Sequence, residues 1–222
     1  TQLMKHLQLE SGVENGGWKG MVARMKSTTD TVKLAIVGKY TNLEDSYLSI
    51  LEAVTHGGLD NGCRVEVNMV EAETLEENPD AVEKLMQYDG ILIPGGFGGR
   101  GTEGKMLAIK FARENDLPFL GICLGMQCAV IEFSRNVCGL EDANSTELAP
   151  GTPHPVISLL DEQRGVTDMG GTMRLGAYPC CLKPDTQARA AYGCAEIRER
   201  HRHRYEFKPC LLYTSDPPHD LL

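Results

Sequence analysis

The octapeptide LGICLGMQ, Leu120 to Gln127, joins an apolar strand to an apolar helix through a Gly-x-Cys-x-Gly turn. A side chain on so sharp a bend is pushed out above the sheet, and small neighbours such as Gly121 and Gly125 are needed because backbone crowds the turn. This is the thiol form of a nucleophile elbow. Cys123 also stands at a helix N-terminus, where unpaired amides and the helix dipole are expected to lower the thiol pKa and favour thiolate. A buried cysteine in a parallel strand is the commoner fate of this residue; glycines on both sides and the helix that follows favour the elbow.

Upstream, the strand Gly90 to Pro94 runs into a glycine loop, Pro94 to Gly99 (PGGFGG). Parallel strands adjacent in sequence usually lie close in the sheet, so this loop and Cys123 are expected to face one crevice, with Gly95 and Gly96 turning N–H groups toward an oxyanion. A phosphate cradle is the weaker option. GGFGGRG lacks the Lys-Ser/Thr ending of a P-loop, and the first strand-to-helix turn, Gly38-Lys39-Tyr40, is not glycine-rich.

Farther out, strands alternate with helices. Thr31 to Gly38 reads as a strand, and Tyr47, Leu48, Leu51 and Val54 then fall at helical spacing. A strand at Cys63 to Glu71, a helix near Ala81 to Tyr88, a helix from Thr102 to Asn115, a strand at Pro118 to Ile122 and a helix from Leu124 to about Val137 follow. The order implies an α/β domain, a mostly parallel sheet flanked by helices on both faces, with functional loops at the carboxyl ends of the strands. After Asn144 the pattern loosens into strand-like pieces at His154 to Leu160, Gly171 to Leu182 and Ala195 to Phe207. Residues 1–30 read as a broken helical arm and linker. Residues 208–222, rich in proline and without periodicity, read as a disordered tail foreign to the fold.

Composition bounds the function. In 222 residues, 22 Lys and Arg face 31 Asp and Glu, a net charge of −9, which disfavours nucleic acid and anionic membranes as partners. No apolar run is long enough to span a membrane and no signal peptide leads the chain, so a cytoplasmic protein is expected. The eight cysteines include no C-x-x-C and lack finger-like histidine spacing, so no metal site is expected, and most should be buried free thiols. Arg198, Arg200, Arg202 and Arg204 alternate along one expected strand; an RNA-binding ribbon is the sharper reading, a solvated strand edge or substrate loop the better one.

The elbow and the glycine loop together resemble the class I glutamine amidotransferases, whose architecture is flavodoxin-like. VGKY (37–40), DSYLSILEAV (45–54), PGGFGGRGTEGK (94–105), GICLGMQ (121–127), NSTE (144–147), GGTMRLGA (170–177) and ERHRHRYEF (199–207) are similar to the glutaminase domain of the CTP synthase family, in order across residues 31–207. The resemblance implies that residues 1–30 end a preceding synthase domain, and that glutamine is hydrolysed to ammonia for the ATP-dependent amination of UTP to CTP. It implies Cys123 as nucleophile and Gly96 as oxyanion and glutamine contact. It further implies Leu124, Gln127, Glu147 and Arg204 as glutamine contacts; a carboxylate and a guanidinium suit a zwitterionic amino acid. Phe97 and Arg100 are implied as contacts of GTP, an allosteric effector; ATP and Mg2+ would belong to the synthase domain, and the intact protein would be a homotetramer.

One part of the pattern is missing. The family activates its cysteine with a late His-Pro-Glu motif, and none of His6, His56, His154, His201, His203 and His219 is followed by Pro-Glu. Turnover by this chain is therefore expected to be severely impaired, and a missing late strand would leave an edge prone to aggregation. Two other readings stay open: a non-catalytic domain that binds glutamine or scaffolds an oligomer, and a DJ-1/PfpI-like cysteine hydrolase, against which Leu124 stands where that type has a histidine.

Overall fold

The computed structural model describes residues 6–8, 16–41, 44–159, 163 and 173–208. Residues 209–222, nearly all of the expected tail, and Gly170 to Thr172 of the GGTMRLGA motif lie outside the described residues, as does much of the N-terminal arm.

Four strands form the main sheet: β1 (Asp30–Gly38), β2 (Cys63–Glu71), β3 (Gly90–Ile93) and β4 (Phe119–Gly121), in the order β2-β1-β3-β4. All three pairings are parallel, with Leu34 opposite both Val67 and Gly90, and Ile93 opposite Gly121. The chain steps from β1 outward to β2 and then back across to β3, so a topological switch point lies between β1 and β3, where such folds place their ligands.

Side chains alternate across β1 and sort the helices onto two faces. Ile36 and Leu92 point one way, onto Tyr47 and the partly buried Ile50, Leu51 and Val54 of α2 (Leu48–Asp60). Ala35, Val37, Ile91 and Ile93 point the other way. There they pack with Ala72 and Leu75 of α3 (Ala72–Glu77), Met106 and Ile109 of α4 (Thr102–Glu114), and Leu124 and Ile131 of α5 (Leu124–Asn136). Helix α1 (Gly16–Ser27) precedes the sheet, tied to α2 by an Arg24–Asp60 ion pair of 3.0 Å; its Trp18, Val22 and Met25 are exposed.

The expected helix near Ala81 to Tyr88 is instead a 3-10 segment, Pro79–Gln87, preceded by the short α3, which hydrophobic spacing had not marked. Proline at its start and six α-helical residues before Asn78 leave too little length for a regular helix.

Beyond α5, β5 (Ala143–Ser145) pairs in parallel with β6 (His154–Ser158), and β7 (Arg174–Cys181) pairs antiparallel with β8 (Glu196–His203) around a short α6 (Gln187–Tyr192). The expected strand Ala195 to Phe207 is broken: β8 stops at His203, the chain turns at Arg204 and Tyr205, and β9 (Glu206–Phe207) joins β6 antiparallel. In consequence Arg198, Arg200 and Arg202 are exposed on the β8 edge, while Arg204 leaves their row and is half-buried. The expectation that most cysteines are buried also fails. Cys128 is buried, but Cys180, Cys181 and Cys194 are exposed on or beside the two-stranded β7–β8 ribbon, which lies apart from the main sheet.

Candidate active site

Cys123 occupies the bend between β4 and α5 with φ +53° and ψ −105°. A non-glycine residue rarely adopts positive φ, and holding one there costs about 1–3 kcal/mol. Both flanking glycines show what enforces the bend. A Cβ on Gly121 would lie 2.6 Å from the backbone of Gly125 and Met126, and a Cβ on Gly125 would lie 2.1 Å from the Ile93 carbonyl oxygen. That oxygen accepts the Ile122 N–H at 2.9 Å, so the elbow is laced to the end of β3.

The glycine loop meets the cysteine as expected. A Cβ placed on Gly95 would be 3.4 Å from Cys123 Cβ and 4.0 Å from Sγ, and one on Gly96 would be 3.4 Å from the Leu124 side chain and 3.9 Å from Lys105 Nζ. A methyl group at Gly95 would thus rest in ordinary van der Waals contact with the nucleophile's side chain. Glu147 reaches the same loop, its Oε1 accepting the Gly98 N–H at 3.3 Å. Gln127 is buried and donates from Nε2 to the Tyr205 carbonyl at 3.0 Å. Arg204 lies in the β8–β9 turn, its carbonyl accepting from Gln163 Nε2 at 2.9 Å, and the Arg202 carbonyl stands 4.0 Å from Cys123 Sγ. Cys123, Leu124, Gln127, Glu147 and the turn carrying Arg204 are therefore gathered at one end of the sheet.

Phe97 and Arg100 fare differently. Phe97 is 66% exposed, but Arg100 is engaged: its guanidinium forks onto both carboxylate oxygens of Glu73 and lies 5.1 Å over the Tyr40 ring. The pair holds the Glu73 carboxyl below the usual carboxylate range through its hydrogen bond with Arg100.

The expected thiolate is not what the surroundings favour. Burial pushes the Cys123 thiol pKa up, the Leu124 N–H draws it partly back, and the carboxylates of Glu147 and Glu206 raise it further. One helix N-terminal amide is present, as the sequence implies, but desolvation outweighs it. The resting residue is a thiol, and attack requires a base.

Four contributors escape sequence reasoning. Lys39, in the loop after β1, donates from Nζ to the carbonyls of Phe97 at 3.0 Å and Gly98 at 3.4 Å, bracing the glycine loop across the switch point. Its place directly after the first strand was the available signal. Lys105 is buried beneath the loop at 1% exposure, its pKa lowered by that burial. The carbonyls of Arg202 and Tyr205 act through backbone alone, which no side-chain pattern announces.

A family model described as Glutamine amidotransferase class-I matches residues 42–220. The CTP synthase of Methanosarcina mazei is 78% identical over 209 residues, covering 94% of this chain and 39% of the relative. That of Thermococcus kodakarensis is 57% identical over 192 residues, covering 86% of this chain and 36% of the relative. The chain thus spans about two fifths of the length of the curated relatives it matches. Among solved structures, the glutaminase domain of Trypanosoma brucei CTPS with bound acivicin gives a TM-score of 0.76 at 38% identity, covering 82% of this chain and 70% of that one.

Proposed function

We propose, for a chain that belongs to the class I glutamine amidotransferases and matches the C-terminal glutaminase domain of CTP synthases, that Cys123 captures the side-chain carbonyl of glutamine. The observation that carries this reading is the strained elbow that sets Cys123 Sγ beside Gly95 and the glycine loop. Sulfur adds to the amide carbon, the oxygen becomes an oxyanion, and the loop amides at Gly95 and Gly96 supply the donors that such a charge requires. Collapse expels the amide nitrogen, which leaves as ammonia once protonated, and water then cleaves the thioester to glutamate and free thiol. The net change is glutamine plus water to glutamate plus ammonia. In this reading Glu147 would receive the ammonium of the substrate and Arg204 its carboxylate, with Leu124 and Gln127 as further glutamine contacts.

In the whole protein the ammonia serves an ATP- and Mg2+-dependent conversion of UTP to CTP in a preceding synthase domain, in a cytoplasmic homotetramer. GTP as effector would stack on Phe97 and compete with Glu73 for Arg100. The 222 residues contain no His-Pro-Glu motif, and with a thiol rather than a thiolate at rest the chain binds and traps glutamine analogues but turns over poorly.

Acivicin labelling followed by intact-mass and peptide analysis tests the reading. Stoichiometric modification of Cys123, slowed by glutamine and abolished in Cys123→Ser, is expected. Absence of labelling, or labelling indifferent to glutamine, would overturn it. Steady ammonia release at the rate of an intact glutaminase would overturn the impaired-turnover part alone.

A further inference from the structure

The turn beside Cys123 carries two hydrogen-bonded imidazoles, those of His201 and His203. His203 Nδ1 lies 3.2 Å from the Tyr205 carbonyl oxygen and 3.3 Å from Glu206 Oε1. Both are acceptors, so Nδ1 carries the proton. His203 Nε2 lies 2.8 Å from His201 Nδ1. In the neutral ring Nε2 is then the acceptor, and His201 donates to it from Nδ1.

The other groups around the pair agree. Arg174 of β7 is ion-paired to Glu206 and sits 4.3 Å over the Tyr178 ring, whose edge meets His201 at 5.1 Å. Burial, the facing His203 ring and Arg174 hold the His201 pKa below the ordinary imidazole range, with Glu206 and Glu199 opposing. A cationic His201 beside that guanidinium is thereby disfavoured.

The Tyr205 carbonyl has two lone pairs, and both are used: one by His203 Nδ1 and one by Gln127 Nε2 at 3.0 Å. Because a carbonyl can only accept, Gln127 must present its nitrogen to Tyr205, which fixes which way its amide faces.

We propose that His203 is a positioning residue of the glutamine pocket: as the Nδ1–H tautomer it pins the Tyr205 carbonyl, and that carbonyl in turn orients the Gln127 amide. The inference rests on the glutaminase reading above and assigns to His203 a role through Tyr205 and Gln127, not a contact with substrate or a proton transfer to Cys123.

The test uses the 222-residue chain with two probes. Acivicin reads the glutamine pocket through the concentration that half-saturates Cys123 labelling; iodoacetamide reads the thiol alone. Asparagine places an N–H near the position of Nδ1, whereas glutamine extends its amide toward the position of Nε2. His203→Ala and His203→Gln are expected to raise the half-saturating acivicin concentration about tenfold, the weight of one lost hydrogen bond, while iodoacetamide labelling changes less than about twofold. His203→Asn is expected to restore most of the loss. Equal saturation in the wild type and His203→Ala, or an Asn variant as impaired as the Gln variant, would overturn the proposal. Should His203→Ala fail to fold by circular dichroism, the Asn and Gln pair still decides. A wild-type chain that acivicin does not label overturns the glutaminase reading itself, and this proposal with it, and so is distinguishable from a failure confined to the variants.

Discussion

Gly125→Ala is the substitution that most directly probes how the elbow is built. The new Cβ would fall 2.1 Å from the Ile93 oxygen and 2.9 Å from the Ile93 carbonyl carbon, against a comfortable carbon–oxygen separation of about 3.3–3.6 Å. Both obstacles are main chain, so no rotamer change relieves them. Helix α5 has to retreat from β3 by about 1 Å, and the Ile122 N–H to Ile93 carbonyl bond of 2.9 Å lengthens beyond use. Overpacking a tight interior costs about 1–3 kcal/mol and a weakened hydrogen bond about 0.5–1.5 kcal/mol; the expected loss is about 2–4 kcal/mol, a large share of the ~5–15 kcal/mol of a typical domain. Urea unfolding followed by far-UV circular dichroism measures it, and acivicin labelling of Cys123 should slow in parallel because the same shift moves Sγ away from the glycine loop. Gly57→Ala is the control: a Cβ there meets nothing within 4 Å in α2, so the variant should gain about 0.5–1 kcal/mol from helix propensity. A Gly125→Ala protein with an unchanged urea midpoint and labelling within twofold of wild type would refute the packing argument.

Four further perturbations follow from the charges. With the Cys123 pKa raised, iodoacetamide labelling should climb steadily through pH 7–9, still rising where an ordinary thiol near pKa ~8.5 would begin to level. Glu147→Gln, which removes an opposing negative charge, should speed it at pH 8, whereas a plateau below pH 8 would count against the surroundings described. Arg113→Met should cost about 3 kcal/mol in urea unfolding, since buried Glu132 (1% exposed) takes its 2.7 Å ion pair from Arg113 and would be left without that cation. Lys105→Met should instead stabilise the fold at pH 7, because Lys105 is buried and its folded-state pKa lies below the usual lysine range. The penalty on the wild type is full below that folded pKa and vanishes as pH rises through ~10.4, the unfolded value, so the two melting temperatures should converge near pH 10.

The parts of the fold written in local pattern were legible. Apolar β-branched runs at Thr31 to Gly38 and Cys63 to Glu71 became β1 and β2 within a residue, and the Thr102 and Leu124 helices ended within a residue of their patterns. The elbow was legible for a stronger reason. Gly121 and Gly125 are required by backbone contacts, and such a requirement leaves its mark in residue identity. The late region was harder to read because β5, β6 and β9 are short and β6 finds its antiparallel partner far along the chain: nothing local in ERHRHRYEF tells that β8 stops at His203 and that Glu206 joins β6. The pKa of Cys123 departs from the local expectation for a similar reason. The helix N-terminus is a local feature, but the burial and the two carboxylates that outweigh it arrive from residues up to the far end of the described chain.

The sequence holds one tryptophan, and Trp18 sits 68% exposed on α1, outside the two hydrophobic clusters. Its indole fluorescence is therefore a reporter of that helix and blind to the sheet. Unfolding traced by tryptophan emission would record a peripheral segment rather than the core and would start from an already water-exposed, red-shifted spectrum. The same placement makes the indole a ready optical gauge of contact: anything that comes to cover α1 moves its emission to the blue without a label being added.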